Sequence, residues 1–181
     1  LNIAEEKYSM AVGNALEYLE NVEEGSYDTV LCLGMLYYTT EPYRLLKLML
    51  RAAKETVILD TFTAAYAAIQ GKDAPQVYES VNEETLKLPI LLTALTQPGK
   101  KDYTLPHSFD YRSKDLSLIT LPSAELLEIW FQSLNAQFKK LDWSTYGTRP
   151  CTYHDLLTPD QKRSSHWADV YTSGIRVSYL L

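Results

Sequence analysis

The clearest pattern in the chain is a nearly continuous apolar run, "YDTVLCLG" at 27–34, which predicts a strand buried on both faces of a parallel sheet. A helix is expected over 42–54. Thr40 is its candidate cap, Glu41 lies in the first turn and Pro42 near the first helical position. Arg44, Lys47, Arg51 and Lys54 fall on one stripe of that helix, with Leu45, Leu46, Leu48, Met49 and Ala52 opposite. "TVILDTF" at 56–62 is a second buried strand, so the spacing predicts adjacent parallel strands joined by a right-handed helical crossover. Upstream, "YSMAVG" at 8–13 reads as a short strand and 14–24 as a helix or turn.

From Thr63 to Leu121 the pattern changes. The stretch is rich in Tyr, Lys, Pro and Gln, with modest helical patterns around 63–70 and 83–96. It is too long for a plain connection and reads as an inserted lid or substrate-facing segment. Next, "LPSAELLEIWFQSLN" at 121–135 predicts an amphipathic helix capped by Ser123, and "FKKLDWS" at 138–144 a strand. A polar loop with Cys151, His154 and His166 precedes a closing strand, "GIRVSYLL", at 174–181. The division is 1–62 core, 63–121 insertion and 122–181 rest of the core, an α/β architecture.

Composition narrows the function classes. The 181 residues are 46% hydrophobic and 22% charged, the profile of one soluble domain, and the net charge of −6 gives no nucleic-acid footprint across the whole chain. Two cysteines, one in an apolar strand and one in a polar loop, suggest a reducing, cytoplasmic setting without disulfides. No membrane span or signal peptide is read. The first residue is Leu rather than Met, so sequence is expected upstream.

Several chemistries find no motif. The histidines at 107, 154 and 166 and the two cysteines have no metal-ligand spacing, so no metal is expected. There is no GxSxG elbow. The seven glycines are too far apart to write a GxGxxG or GxxxxGK loop. What remains is the end of the first strand. Ligands of open parallel sheets sit outside the carboxyl ends of the strands, where Gly34, Tyr37 and Tyr38 would lie. Glycine admits close backbone approach, and tyrosine offers an aromatic face with a hydroxyl. A tight turn with core-capping tyrosines fits the same residues.

The order "GNALEYL…YDTVLCLGMLYYTTEPYRLLKLMLRAAKETVILDTF", then "LPSAELLEIWFQSLNAQFKKLDW" and "RVSYLL", resembles the later part of a class I S-adenosylmethionine-dependent methyltransferase. It is most similar to the tRNA wobble-uridine carboxymethyltransferases and their relatives. The resemblance spans 8–62 and 119–181 and implies a Rossmann-like sheet, mostly parallel, with an antiparallel last strand and the first two strands absent. It implies S-adenosylmethionine or its carboxylated derivative as a small-molecule donor, with tRNA as one candidate acceptor. By the same resemblance Asn14 and Ala15 flank the adenine, Leu33 and Gly34 floor the cofactor pocket, and Tyr37 with Tyr38 faces the reactive end. Arg176 matches an arginine that meets the extra carboxylate of the carboxylated donor in those relatives; an ordinary cation at a strand end is the alternative. Tyr38 stands where relatives have His, and Asn14 where they often have Asp.

The glycine-rich loop that holds the donor's methionine end has no counterpart in the chain. Weak or no binding of S-adenosylmethionine by these 181 residues alone is therefore expected, as are apolar strand edges left without partners. A non-catalytic methyltransferase-like module binding a partner through 63–121 is the competing class; a substrate domain of another α/β enzyme rests on fold analogy alone. The basic stripe at Arg44, Lys47, Arg51 and Lys54 either meets tRNA phosphates or is a solvated helix face. Finally, Arg176 and Tyr37 are expected on one rim of the sheet.

Overall fold

The computed structural model describes residues 8–66, 83–96, 109–111, 114–146 and 169–181. The elements are α1 (Ala15–Glu20), β1 (Tyr27–Leu33), a 3-10 turn (Leu36–Tyr38), α2 (Pro42–Ala52), β2 (Ala53–Phe62) and α3 (Glu83–Leu86). They continue with β3 (Leu91–Thr96), β4 (Phe109–Tyr111), β5 (Lys114–Pro122), α4 (Ala124–Ser133), β6 (Lys139–Lys140), a second 3-10 turn (Ser144–Tyr146), α5 (Asp169–Thr172) and β7 (Arg176–Leu180). Among the described residues no helix is long and apolar enough to cross a membrane.

The main sheet has the order β1-β2-β7-β6. β1 and β2 are parallel, as the spacing predicts, while β7 runs antiparallel to both β2 and β6. The expected antiparallel closing strand is therefore present. One face of this sheet is thoroughly covered. Val57 and Leu59 from β2 and Val177 and Tyr179 from β7 pack against Leu45, Leu46 and Met49 of α2 and Leu127 and Phe131 of α4. Side chains alternate along a strand, so the other face carries Leu31, Leu33, Ile58, Asp60, Phe62, Arg176, Ser178 and Leu180 in register.

That second face corrects the reading of β1 as buried on both sides. Leu31 is 60% and Leu33 57% exposed. β1 is also the end of the sheet order, and among the described residues nothing pairs its outer edge. The expected apolar strand edge is thus found at β1 among the described residues.

Other boundaries moved for local reasons. The expected strand at 8–13 is an irregular segment with Met10 and Val12 almost fully exposed, because no described strand offers it hydrogen bonds. Glu41, not Thr40, occupies the N-cap of α2, and the Thr39 hydroxyl accepts the Glu41 N–H at 3.1 Å. The helix stops at Ala52 and β2 begins at once. The pattern at 83–96 gives one helical turn and then a strand: "LLTALT" follows its partner β5 rather than its helical periodicity. Ala65 and Tyr66 begin the expected 63–70 helix, whose remainder lies outside the described residues. The strand expected over 138–144 shrinks to Lys139–Lys140. Cys151, His107, His154 and His166 lie outside the described residues.

A second, antiparallel sheet of order β3-β5-β4 forms between Leu91 and Pro122. Ser123 joins it to the core by doing three things at once. It caps α4 through the Leu126 N–H, accepts the Ile90 N–H and donates to the Leu88 carbonyl. β5 also reaches the turn after β1, where the Thr120 hydroxyl donates to the Thr39 carbonyl at 2.7 Å. The second sheet is thereby fixed beside the carboxyl edge of β1.

Candidate functional site at the carboxyl edge

The carboxyl end of β1 is shaped by Gly34, whose φ of +72° lies in the left-handed region that glycine enters without a Cβ penalty. Its N–H donates to the Asp60 carbonyl at 2.8 Å, which keeps the turn pinned to β2. A Cβ at Gly34 would stand 3.4 Å from Arg176 Nη2 and equally 3.4 Å from Tyr37 Oη. The glycine thus floors a notch in which a guanidinium and a phenol converge. A side chain at Gly34 would stand in the notch.

Tyr37 reaches the notch from a well-packed base. Its ring sits with Ile119 and Leu121 of β5, 4.4 Å from Tyr38 and 5.1 Å from Phe62 between centroids. Burial, reinforced by Tyr38, pushes its proton affinity well above the ordinary phenol value, while Arg176 partly opposes the shift. At neutral pH Tyr37 is a neutral hydroxyl that can donate to an anion.

Arg176 arrives from the opposite strand. It pairs with Phe62 across β2 and β7, so the start of β7 lies at the carboxyl edge of β2. The Thr63 hydroxyl and N–H hold the Gly174 and Ile175 carbonyls at 2.7 and 2.9 Å, fixing that entry. The guanidinium carbon lies 4.8 Å from the Phe62 ring centroid, a cation–π distance. Nε and Nη2 both meet Asp60 Oδ1. Burial works against the Arg176 charge, but Asp60 outweighs it and raises the proton affinity. Arg176 is thus a partly buried strand-end cation paired with Asp60.

Asp60 organises the surrounding polar groups. It is 7% exposed, and Ser178 donates to its Oδ2 at 2.6 Å. Trp143 Nε1 in turn donates to Ser178 at 3.2 Å. Tyr171 stands close by, and its proton is held on by burial and by the Asp60 carboxylate. Beyond this network opens a cleft of about 390 Å³ lined by Lys140, Trp143, Tyr171, Thr172 and Arg176.

The structure therefore brings together Gly34, Tyr37, Tyr38 and Arg176. It treats the remaining expected residues differently. Asn14 caps α1, with its Oδ1 accepting the Leu16 N–H at 2.9 Å, and Ala15 packs partly buried against the helix-covered core. Leu33 faces the open side of the sheet. The expected basic stripe is partly structural. Arg44 pairs with Glu20 and Glu41, and Arg51 donates to the Leu19, Glu20 and Val22 carbonyls at the end of α1. Sequence reasoning missed Asp60 and Ser178. The signal was an acid inside the otherwise apolar "TVILDTF".

Cys32 is buried, and that burial raises its pKa to about 11, which keeps it a thiol. Among the described residues no group of three or more His, Cys, Asp or Glu could hold a metal ion. A neutral phenol and a cation over a glycine floor suit an anionic ligand group.

No protein-family model matches the chain. It is 29% identical over 146 residues to a tRNA U34 carboxymethyltransferase from Sulfurovum sp. (strain NBC37-1), an alignment covering 78% of this chain and 40% of that protein. The chain thus spans well under half the length of this curated relative. A solved structure, a SAM-dependent methyltransferase from Archaeoglobus fulgidus, aligns over 97% of this chain and 67% of its own, with 12% identity and a TM-score of 0.45. The curated relative and the resemblance read from the residues point to the same family.

Proposed function

We propose that this chain supplies the donor-end half of an S-adenosylmethionine-type group transferase, and that its donor carries a carboxylate, transferred as part of a carboxymethyl group. The observation that carries this reading is the convergence of Arg176 and Tyr37 over Gly34. The group a plain methyl donor transfers carries no carboxylate, so it gives such a cation no partner at the reactive end. The name of the Sulfurovum relative agrees with it and suggests a tRNA uridine as acceptor.

The residues fit the carboxylate end of such a donor. Arg176 has five N–H donors, of which Asp60 engages Nε–H and one on Nη2. Among the described residues Nη1 makes no hydrogen bond, so that edge of the fork can meet a second carboxylate. Tyr37 adds a neutral hydroxyl donor. When bound, the donor supplies a carbon activated by attachment to a sulfonium, which leaves as a neutral thioether. The chain's own task is to align that carbon with the acceptor and keep water away. Tyr38, Phe62 and Tyr66 are suited to the second part: Phe62 and Tyr66 stack at 4.1 Å, and Tyr37 and Tyr38 continue the aromatic wall. The acceptor's heteroatom forms its bond to the activated carbon as the carbon–sulfur bond breaks, and the acceptor's proton is released to solvent as the product leaves.

The test is the product. Full-length protein is incubated with tRNA prepared from cells that lack it and with each donor in turn, and the digested nucleosides are weighed by mass spectrometry. A carboxymethylated uridine, formed with the carboxylated donor only, is expected. Methylated nucleoside from S-adenosylmethionine, with none from the carboxylated donor, would overturn the donor assignment. Absence of product with either donor favours the binding-module reading.

A further inference from the structure

We infer that Asp60 is the positioning residue that aims Arg176 at the donor carboxylate, an inference that rests on the carboxylated-donor reading. An arginine side chain has several rotatable bonds and loses substantial entropy when held in one direction. Here the direction is set before any ligand arrives. Asp60 grips the guanidinium by Nε and Nη2, and Ser178 holds the other carboxylate oxygen at 2.6 Å. Asp60 and Ser178 face each other in the β2–β7 register, so two strands fix the acid rather than one flexible side chain. Trp143 Nε1 holds Ser178 from the segment after β6.

This geometry has a specific consequence. Asp60 engages the fork through Nε and Nη2, and the same Nη2 lies 3.4 Å from the position a Gly34 Cβ would take. The acid thus fixes the plane of the guanidinium with Nη2 at the notch, and a planar fork held at one angle is suited to a carboxylate. It also screens the guanidinium, so a sulfonium can approach without meeting a bare cation. The role is to orient and to moderate charge; Asp60 does not touch the donor.

The experiment is a calorimetric titration of the full-length protein and its Asp60→Asn, Asp60→Glu and Ser178→Ala variants with carboxylated donor and with S-adenosylmethionine. Wild type should prefer the carboxylated donor. Asp60→Asn should weaken that donor by about tenfold or more, a loss near 1.4 kcal/mol, and change S-adenosylmethionine by less than about threefold. Asp60→Glu should recover part of the preference. Ser178→Ala, which keeps the ion pair and is the milder change to the fold, should fall between wild type and Asp60→Asn. An Asp60→Asn protein that keeps the preference, binds the carboxylated donor more tightly, or loses both donors equally overturns the positioning role and leaves the donor reading standing. A wild type without preference overturns both.

Discussion

Arg176→Ala should weaken binding of a carboxylated donor by roughly 10- to 100-fold, the range expected for losing hydrogen bonds to a charged group. It should also destabilise the fold. The Arg176 side chain is 24% and the Asp60 side chain 10% exposed, so this is a largely desolvated pair. Removing one partner of such a pair leaves an uncompensated charge and typically costs about 3–5 kcal/mol. Ser178 and Tyr171 remain beside Asp60, so about 2–3 kcal/mol is the expected loss here. Denaturant unfolding and donor titration read the two effects separately. Arg176→Lys keeps the charge but not the fork, and should recover stability better than donor affinity. Unchanged stability in Arg176→Ala would mean that the pair with Asp60 contributes no more than a surface contact.

The second large effect lies on the covered face of the sheet. Phe131 is fully buried, with its ring centroid 5.0 Å from Tyr179 and 5.2 Å from Phe138. It plugs α4 onto β7, the strand that presents Arg176. Phe131→Ala should cost about 3–5 kcal/mol through lost burial and the cavity left behind. For a chain of this size that is a fall in melting temperature of roughly 6–20 °C. Thermal unfolding checks it, with Leu180→Ala on the half-open face as the control. A Phe131→Ala loss below about 1.5 kcal/mol would mean that the core closes around the gap.

The sequence showed its elements best where burial and periodicity agreed. β1, α2, β2 and α4 have apolar positions that match the covered face, and their order made the parallel crossover readable. It misled where pairing decides. "YSMAVG" has strand-like residues but no described partner, and "LLTALT" reads as helix until β5 is beside it. The continuous run in β1 suggested burial on both faces, yet Leu31 and Leu33 are exposed, because an apolar pattern states what would be buried if covered.

The candidate site was half legible. Gly34, Tyr37 and Arg176 were singled out from the residues and the resemblance, and their meeting on one rim follows from β7 entering antiparallel at the carboxyl edge. Asp60 was hidden because a lone acid in an apolar strand has no visible partner until β7 sets Arg176 and Ser178 against it. Asn14 has a local use that the sequence reading did not name. Its residue type suits a ligand contact and is also a preferred helix cap, and its side chain caps α1.

The most direct test of the account is a structure of the full-length protein with the carboxylated donor bound. The expected result places the donor carboxylate within hydrogen-bond distance of both Arg176 and the Tyr37 hydroxyl, with the transferable carbon above Gly34 and the Arg176–Asp60 pair still in place. A donor whose carboxylate points into solvent, with Arg176 engaged by Asp60 alone, would contradict it.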